Sequence, residues 1–495
     1  KGEAAERRER QTLYKGFRTK VIRMNHHQSP RVATALAALL VLAFTACKTP
    51  QATQPNDTLV SLPPTSTDTL SPLPAWRDFF QDATLRTLID TALHNNRDLK
   101  IMLQELVIAK SALAAKRGTM LPSVTANIGA GVSKVGSYTA EGAGNVGTEL
   151  TPGHNIPTVI PDLAPSLQVD WTIDLWQKLN SSKKAIVERF LASQAGQRAL
   201  RGQLVADVAE NYYTLLALDS KLAVVAQYIA LQQKAVKLAR IQKEADAETQ
   251  LGVDKFEAEL AKAQADEWLL RQAVIETETN LNLLLGRFPA PIVRHAGDFL
   301  QLVLPATVRI MPTQLLLQRA DVQQAEHQLR AAKWDVEVAR KAFLPSLNLS
   351  AALGLDAFNP KYLVRTPESV AFSVLGAFTA PLINRRAIQA DFDQANALQI
   401  EALYNYDKAL LTACGEAHTL QAKLQNLAHY AQLKQQQDSA LQRAVSAAQQ
   451  LYFNNRATYL DVLDSERDQL DCQMERIDTQ LQQLSAAVEV YRGFF

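Results

Sequence analysis

Two carboxylates three residues apart, Asp461 and Asp464, lie in Thr458-Tyr459-Leu460-Asp461-Val462-Leu463-Asp464, just after the turn signal Asn454-Asn455-Arg456. A spacing of i, i+3 places both on one helical face. Acidic groups in the first turns of a helix complement its dipole, and Thr458-x-x-Asp461 has the form of a capping box. Capping is one reading of the pair, and it is weakened because a related turn earlier in the chain carries Gly252 and Lys255 at the matching places. Little else could do chemistry. His418 and His429 fall on one helical face but about 16 Å apart, too far to share a metal. Cys414 and Cys472 sit in helical patterns, roughly 63 and 24 Å along the helix from that turn, so they cannot pair within one chain and read as small core residues. No HExxH, GxSxG, P-loop or paired-cysteine motif occurs. No catalytic residue, cofactor or metal site is expected, and the chain does not read as an enzyme.

One more residue invites chemistry. Arg31 precedes an apolar run from Val32 to Phe44, which ends at Thr45-Ala46-Cys47. A basic start, a short apolar core and small residues before the cut describe a secretory signal. A cysteine directly after the cut resembles a lipobox and would make Cys47 the acylated first residue of the mature chain. Residues 1–46 are read as leader and signal, with Met24 as the expected start. Residues 47–75, rich in Pro, Ser, Thr and Asp, read as a flexible tether.

The elements around these residues are of two kinds. Four stretches alternate apolar and polar residues. They are expected as strands over 122–135, 165–176, 345–356 and 369–382, each about the length of a tilted membrane-crossing strand. The apolar sets include Val124, Ile128 and Val132; Leu167, Val169 and Trp171; Leu347, Leu349 and Leu353; and Phe372, Val374 and Phe378. Leu375 and Ala377 blur the polar face of the last run. Nearly everything else reads as long helix. No proline interrupts 166–288 or 382–495, and apolar residues recur at mixed spacings of three and four, as at Leu204, Val208, Leu215, Leu222, Val225, Ile229 and Val236. Each half is helix, strand, loop, strand, long helix, returning helix. The first repeat is expected over 76–311, with a helical hairpin at 180–285 and a link at 286–311. The second is expected over 312–495, with a hairpin at 384–491.

Composition narrows the partners. Of 52 basic residues nine lie in 1–46, against three of 50 acidic ones, so the remainder is mildly acidic. No basic stripe calls for nucleic acid. No uninterrupted apolar run reaches the ~18 residues of a membrane-spanning helix. Four strands cannot close a barrel, and open strand edges are not tolerated in a bilayer. Several copies must therefore close one sheet. A polar inner face expects water, and three copies are the smallest number that leaves a water-filled lumen.

The chain resembles the outer membrane efflux protein family of the TolC/OprM type, in its NodT-like lipoprotein branch. The resemblance rests on Trp76-x-x-Phe79-Phe80-x-Asp82, Asn96, Asp98-Leu99, both Leu-Pro-Ser strand openings, Trp171-Thr172-Ile173-Asp174-Leu175, Asn282-Leu283-Leu284-Leu285-Gly286-Arg287 and Tyr459-Leu460-Asp461-Val462-Leu463-Asp464. It implies a mainly α fold with a transmembrane β-barrel portion. Repeated long-helix hairpins would form a trimeric α-barrel continuous with a 12-stranded β-barrel, four strands per chain. It implies a passive exit duct for drugs or other small molecules in the outer membrane. Its partners would be a periplasmic adaptor, an inner membrane pump of the RND type and outer membrane lipids, with Cys47 as the lipid anchor. It also implies that Asp461 and Asp464 form a periplasmic gate, with Arg456, Thr458 and Tyr459 as gate or tip contacts. The alternatives are the duct of a type I protein secretion system and a periplasmic coiled-coil adaptor.

Overall fold

The computed structural model describes residues 50–51, 76–151, 153–245, 249–294, 299–302, 316–357, 359–381, 385–454 and 456–493. Cys47 and the leader lie outside them. Helices are α1 (Trp76–Phe79), α2 (Ala83–Asn95), α3 (Arg97–Gly118), α4 (Ala140–Gly147), α5 (Lys178–Glu244), α6 (Gln250–Leu284), α7 (Ala320–Lys341), α8 (Pro360–Leu363), α9 (Arg385–Phe453) and α10 (Tyr459–Arg492). Strands are β1 (Ser123–Ser133), β2 (Glu149–Thr151), β3 (His154–Asn155), β4 (Ile160–Ile173), β5 (Ser346–Leu355) and β6 (Val370–Thr379). The chain divides into two units. One contains Met120–Asn180 and Val336–Asn396, the other Gln54–Thr119, Ser181–Asp335 and Ala397–Phe495.

The first unit is built on an antiparallel sheet in the order β1-β4-β5-β6. Its register aligns the apolar sets on one face. Val124 faces Val169 and Ala126 faces Leu167. Leu167 faces Leu353, and Leu353 in turn faces Phe372. The other face collects Asp170, Ser350, Thr172 and Asn348. There Ser350 Oγ donates to Asp170 Oδ1 at 2.7 Å and Thr172 Oγ1 donates to Asn348 Oδ1 at 2.9 Å. Leu375 lies on this polar face, opposite Ser350. The β4 strand begins at Ile160, ahead of the stretch the alternation marks, and contains Pro161 and Pro165. Leu163, of the same parity, sends its N–H to Ala357 O on the side away from β1. The missing N–H groups of the two prolines point to that side too, so the β1 ladder keeps its bonds. After β4, both carboxylate oxygens of Asp174 accept from the backbone, from Leu179 N at 3.0 Å and Asn180 N at 2.8 Å, and start α5.

The second unit is helical. One core gathers Phe80, Leu85 and Ile89 against Leu215, Leu281 and Tyr491. Phe79 and Phe80 both pack against Tyr491, tilted and edge-on, with centroids 4.8 and 5.5 Å away. The resemblance motif therefore reads as packing and capping. Asp82 caps α2 by accepting from Thr84 N and Leu85 N, and its second oxygen accepts from Tyr212 Oη at 2.7 Å. Periodicity alone marks one helix over 84–116. The chain instead breaks at Asn96, whose side chain accepts from Leu99 N to start α3 and donates to Leu284 O at 3.0 Å. Capping chemistry at that one residue overrides the apolar period. Along α5, the marked residues Leu204, Val208, Leu215, Val225, Ile229 and Val236 are buried, while Leu222 is half-buried. This helix also holds an 18-residue window apolar enough to cross a bilayer, with mean hydropathy 1.4. Its buried side chains are shared among three apolar clusters, the core just described and two smaller ones around Ile229 and Val236. Cys472 is buried and Cys414 only half-buried, and both are free thiols.

Gly286 closes α6. It stands at φ +68°. Its N–H donates to Leu283 O at 2.9 Å and Arg287 N–H donates to Asn282 O at 3.1 Å, the bond pair of a Schellman motif. A Cβ here would lie 2.5 Å from Asn95 O. Gly286→Ala should therefore destabilise the chain by about 1–3 kcal/mol, read as a lower melting temperature in detergent. Gly118→Ala, which meets nothing within 4 Å, should be neutral or slightly stabilising.

Candidate functional site

The two hairpin turns of the helical unit start their returning helices alike. Thr249 is the N-cap of α6, and its hydroxyl accepts from Gly252 N at 3.1 Å. Thr458 is the N-cap of α10, with φ −86° and ψ 160°. Here the box is reciprocal: Asp461 N donates to Thr458 Oγ1, and Asp461 Oδ2 accepts from Thr458 N and Oγ1, both at 2.7 Å. These hydrogen bonds, from the Thr458 side chain first and its backbone second, hold the Asp461 carboxyl below the usual carboxylate range.

The structure separates the two acidic residues. Asp461 has one oxygen committed to the cap. Asp464 is exposed, and no hydrogen bond or ion pair engages it among the described residues. Arg456 donates its backbone N–H to Leu451 O at 2.8 Å, and its side chain is exposed without an ion pair among the described residues. Tyr459 is half-buried against Phe256, with centroids 5.9 Å apart. It packs with Val236, Val253, Phe256 and Leu463, a small core beneath both turns. Thr458 and Tyr459 therefore shape the turn, whereas Asp464 and Arg456 face solvent and are available to a neighbour. The paired Asp residues do not act as one carboxylate cluster within a single chain.

Sequence reasoning missed a third acidic residue in this stretch. Glu466 is 4% exposed and bonds to Gln449 of α9 and Gln232 of α5. Its match to Glu257 in the first repeat is visible in the sequence, but its burial depends on Gln232, 234 residues away. Among the described residues no group of three or more His, Cys, Asp or Glu could hold a metal ion.

The profile of the outer membrane efflux protein family matches residues 88–287 and 311–493. The "Cation efflux system protein CusC" of Escherichia coli is 25% identical over 395 residues, 79% of this chain and 81% of that protein. The "Pyoverdine export outer membrane protein OpmQ" of Pseudomonas aeruginosa is 27% identical over 418 residues, 84% of this chain and 86% of that protein. Among solved structures, a membrane protein from Pseudomonas aeruginosa superposes with a TM-score of 0.79. It is 23% identical and covers 90% of this chain and 100% of that one.

The cap gives a prediction of its own. Thr458→Ala should weaken the start of α10 by about 1 kcal/mol, seen as faster amide exchange over 459–464. The sign with pH follows from the lowered Asp461 value. The carboxylate's contribution is complete above the ordinary Asp range and is lost as pH falls through the lowered value. In Asp461→Asn that acid-side loss should disappear.

Proposed function

Because the chain belongs to the outer membrane efflux protein family, we propose that it works as a trimer, conducting small molecules from periplasm to exterior with a periplasmic adaptor and an RND-type pump. It is an outer membrane efflux channel, a duct and not an enzyme. The observation that carries the assembly is the sheet. Among the described residues β1 and β6 each pair on one side only, which leaves two open edges. Their apolar side chains are bare: Ile128 is 87% exposed and Phe372 and Val374 are each 78% exposed. An apolar face suits lipid, but open edges do not, so other copies must pair with them. Three copies bring 12 strands and a lumen lined by the Asp170, Thr172, Asn348 and Ser350 face. Exposed apolar residues on α6 and α9, including Trp268, Leu269, Leu411 and Leu433, support the same assembly.

Small-molecule cargo is favoured over secreted protein because the relatives named above export a cation and pyoverdine. The membrane-type sheet argues against a coiled-coil adaptor. Asp464, exposed and free, and its helix-mate Asp461 serve as the periplasmic gate, where three copies bring six carboxylates together and bind cations. Arg456, exposed and without an ion pair among the described residues, serves as a tip contact. Cys47 carries the lipid anchor.

Three measurements test this reading. Native mass spectrometry in detergent should show three chains, and a stable monomer with full strand content would overturn the assembly. Cys47→Ser should lose the acyl mass while the channel still inserts. In planar bilayers, Asp461→Ala with Asp464→Ala should weaken divalent block from the periplasmic side. Glu141→Gln with Glu149→Gln is the control and should leave that block unchanged. Equal block in wild type and the double alanine variant returns both Asp residues to a capping role.

A further inference from the structure

Beneath the second turn sits a buried carboxyl that the channel reading does not use. Glu466 Oε1 accepts from Gln449 Nε2 at 2.9 Å, and Oε2 accepts from Gln232 Nε2 at 3.0 Å. One carboxyl thus ties α10 to α9 and α5. Gln232 is 0% exposed, and its Oε1 has no hydrogen-bond partner among the described residues.

The first repeat answers what belongs at this position. The alignment that pairs Gly252 with Asp461 and Lys255 with Asp464 also pairs Glu257 with Glu466 and Arg240 with Gln449. In the first hairpin Arg240 binds Glu257 Oε1 through Nε at 3.0 Å and Nη2 at 2.7 Å, an ion pair in partly exposed surroundings. In the second hairpin an amide stands where the cation was, and the carboxyl is buried. Among the described residues, the titratable groups near Glu466 are Tyr228 of α5, which itself donates to Glu259 of α6 at 3.3 Å, and Lys234 of α5 and Tyr452 of α9, which line a cavity with it. Lys234 is exposed, and the two groups bonded to Glu466 are both neutral amides. A buried carboxylate without a cation is costly, and such a group keeps its proton instead. Burial raises the Glu466 carboxyl above its ordinary range, against the opposing pull of the two amide bonds.

We propose that Glu466 is a proton-operated latch that holds the second hairpin together beneath its turn. In the protonated form, Oε1 carries the hydrogen and still accepts from Gln449. A small rotation of the Gln232 amide then lets Glu466 O–H donate to Gln232 Oε1 while Gln232 N–H donates to Glu466 Oε2. This acid–amide ring uses the one buried oxygen that otherwise lacks a donor. Loss of the proton leaves a net charge among neutral amides and removes that donor, so the three-helix contact loosens. The folded-state carboxyl titrates above its unfolded value. The contact is therefore strongest in acid and weakens as pH rises from the ordinary carboxyl range through the raised one. A channel tip would be held while Glu466 keeps its proton and freed once it loses it. The latch stands without the Asp461 and Asp464 gate; only its effect on conductance rests on that reading.

Amide exchange of the full chain in detergent tests it, with rates corrected for intrinsic pH dependence between about pH 4 and about pH 8. In wild type, protection over 449–466 and 228–236 should fall with rising pH, by up to about tenfold per unit within the titration window. Glu466→Gln, which mimics the protonated acid, should stay protected throughout. Gln449→Arg, which restores the first hairpin's ion pair, should also flatten the profile. Infrared difference spectra of wild type should show a protonated-carboxyl band that disappears on raising pH and is absent from Glu466→Gln. The same pH profile in wild type and Glu466→Gln overturns the proposal, as does a Glu466 that titrates in the ordinary carboxyl range. If Glu466→Gln does not fold, the wild-type infrared titration and the Gln449→Arg profile decide alone. Unchanged divalent block in the Asp461 and Asp464 double variant, with the latch signals intact, overturns the gate and leaves the latch standing.

Discussion

A strand edge in hydrocarbon has nowhere to put its N–H and C=O groups, and that constraint governs this chain. The four-stranded sheet is open at β1 and at β6. Among the described residues every ladder of the sheet is antiparallel and without a register shift, so the edges are its unfinished part. In the trimer proposed above, pairing with other copies finishes them. The same logic explains the composition of the strands. A sheet meant for a soluble core would hide its apolar face inside the chain, whereas here Val124, Ile128, Val132, Phe372 and Val374 are exposed. The polar face instead satisfies itself with short side-chain bonds, Ser350 to Asp170 and Thr172 to Asn348, as a wall of water-facing groups does.

The helical unit solves a different problem. Long helices gain little from propensity alone and depend on packing along a stripe. Its largest core is gathered where the segment around Phe80 meets α5, α6 and α10. The charged clamp nearby, Arg294 bound to Asp219 at 2.9 Å and also to Glu278, fixes the chain that leaves α6. Towards the turns the apolar contacts thin to small groups such as Val253, Phe256 and Leu463. Less apolar area is buried there, so single polar contacts carry a larger share of the local stability. That is why a cap at Thr458 and a carboxyl at Glu466 have consequences they would not have beside Tyr491.

Much of this was legible in the sequence. Period-two alternation marked all four long strands, β4 only from Pro165 on, and the face its residues take there, because β-geometry leaves no freedom. The absence of proline and the spacing of Leu204, Val208 and Leu215 marked the long helices. The capping box at Thr458 was legible because its partners are three residues apart. What escaped reading depends on distant partners. Asn96 breaks a helix because Leu284 and Leu99 both need its amide. The strand through Pro161 and Pro165 survives because their missing N–H groups point away from β1, to the side on which Leu163 N–H meets Ala357 O. The separation of Asp461 from Asp464 into a capping group and a free one follows from side-chain geometry that i, i+3 spacing does not encode.

The divergence of the two repeats carries the last step. A duplicated hairpin begins with two equal turns, so positions that differ between them mark where symmetry was given up. Gly252 against Asp461 and Lys255 against Asp464 change the solvent face of the turn, while Arg240 against Gln449 changes its interior. Packing alone does not require these changes, since the first hairpin packs with a glycine, a lysine and an ion pair in the same places. Three carboxyls within six residues of α10 then meet three environments. Donors lower the Asp461 carboxyl and Asp464 is left to solvent, whereas burial raises the Glu466 carboxyl above its ordinary range. The same side-chain chemistry thus answers pH at different values on one helix turn and the next. The environment, set by α5 and α9 rather than by the segment itself, decides which carboxyl shapes the turn, which meets ions and which holds the helices.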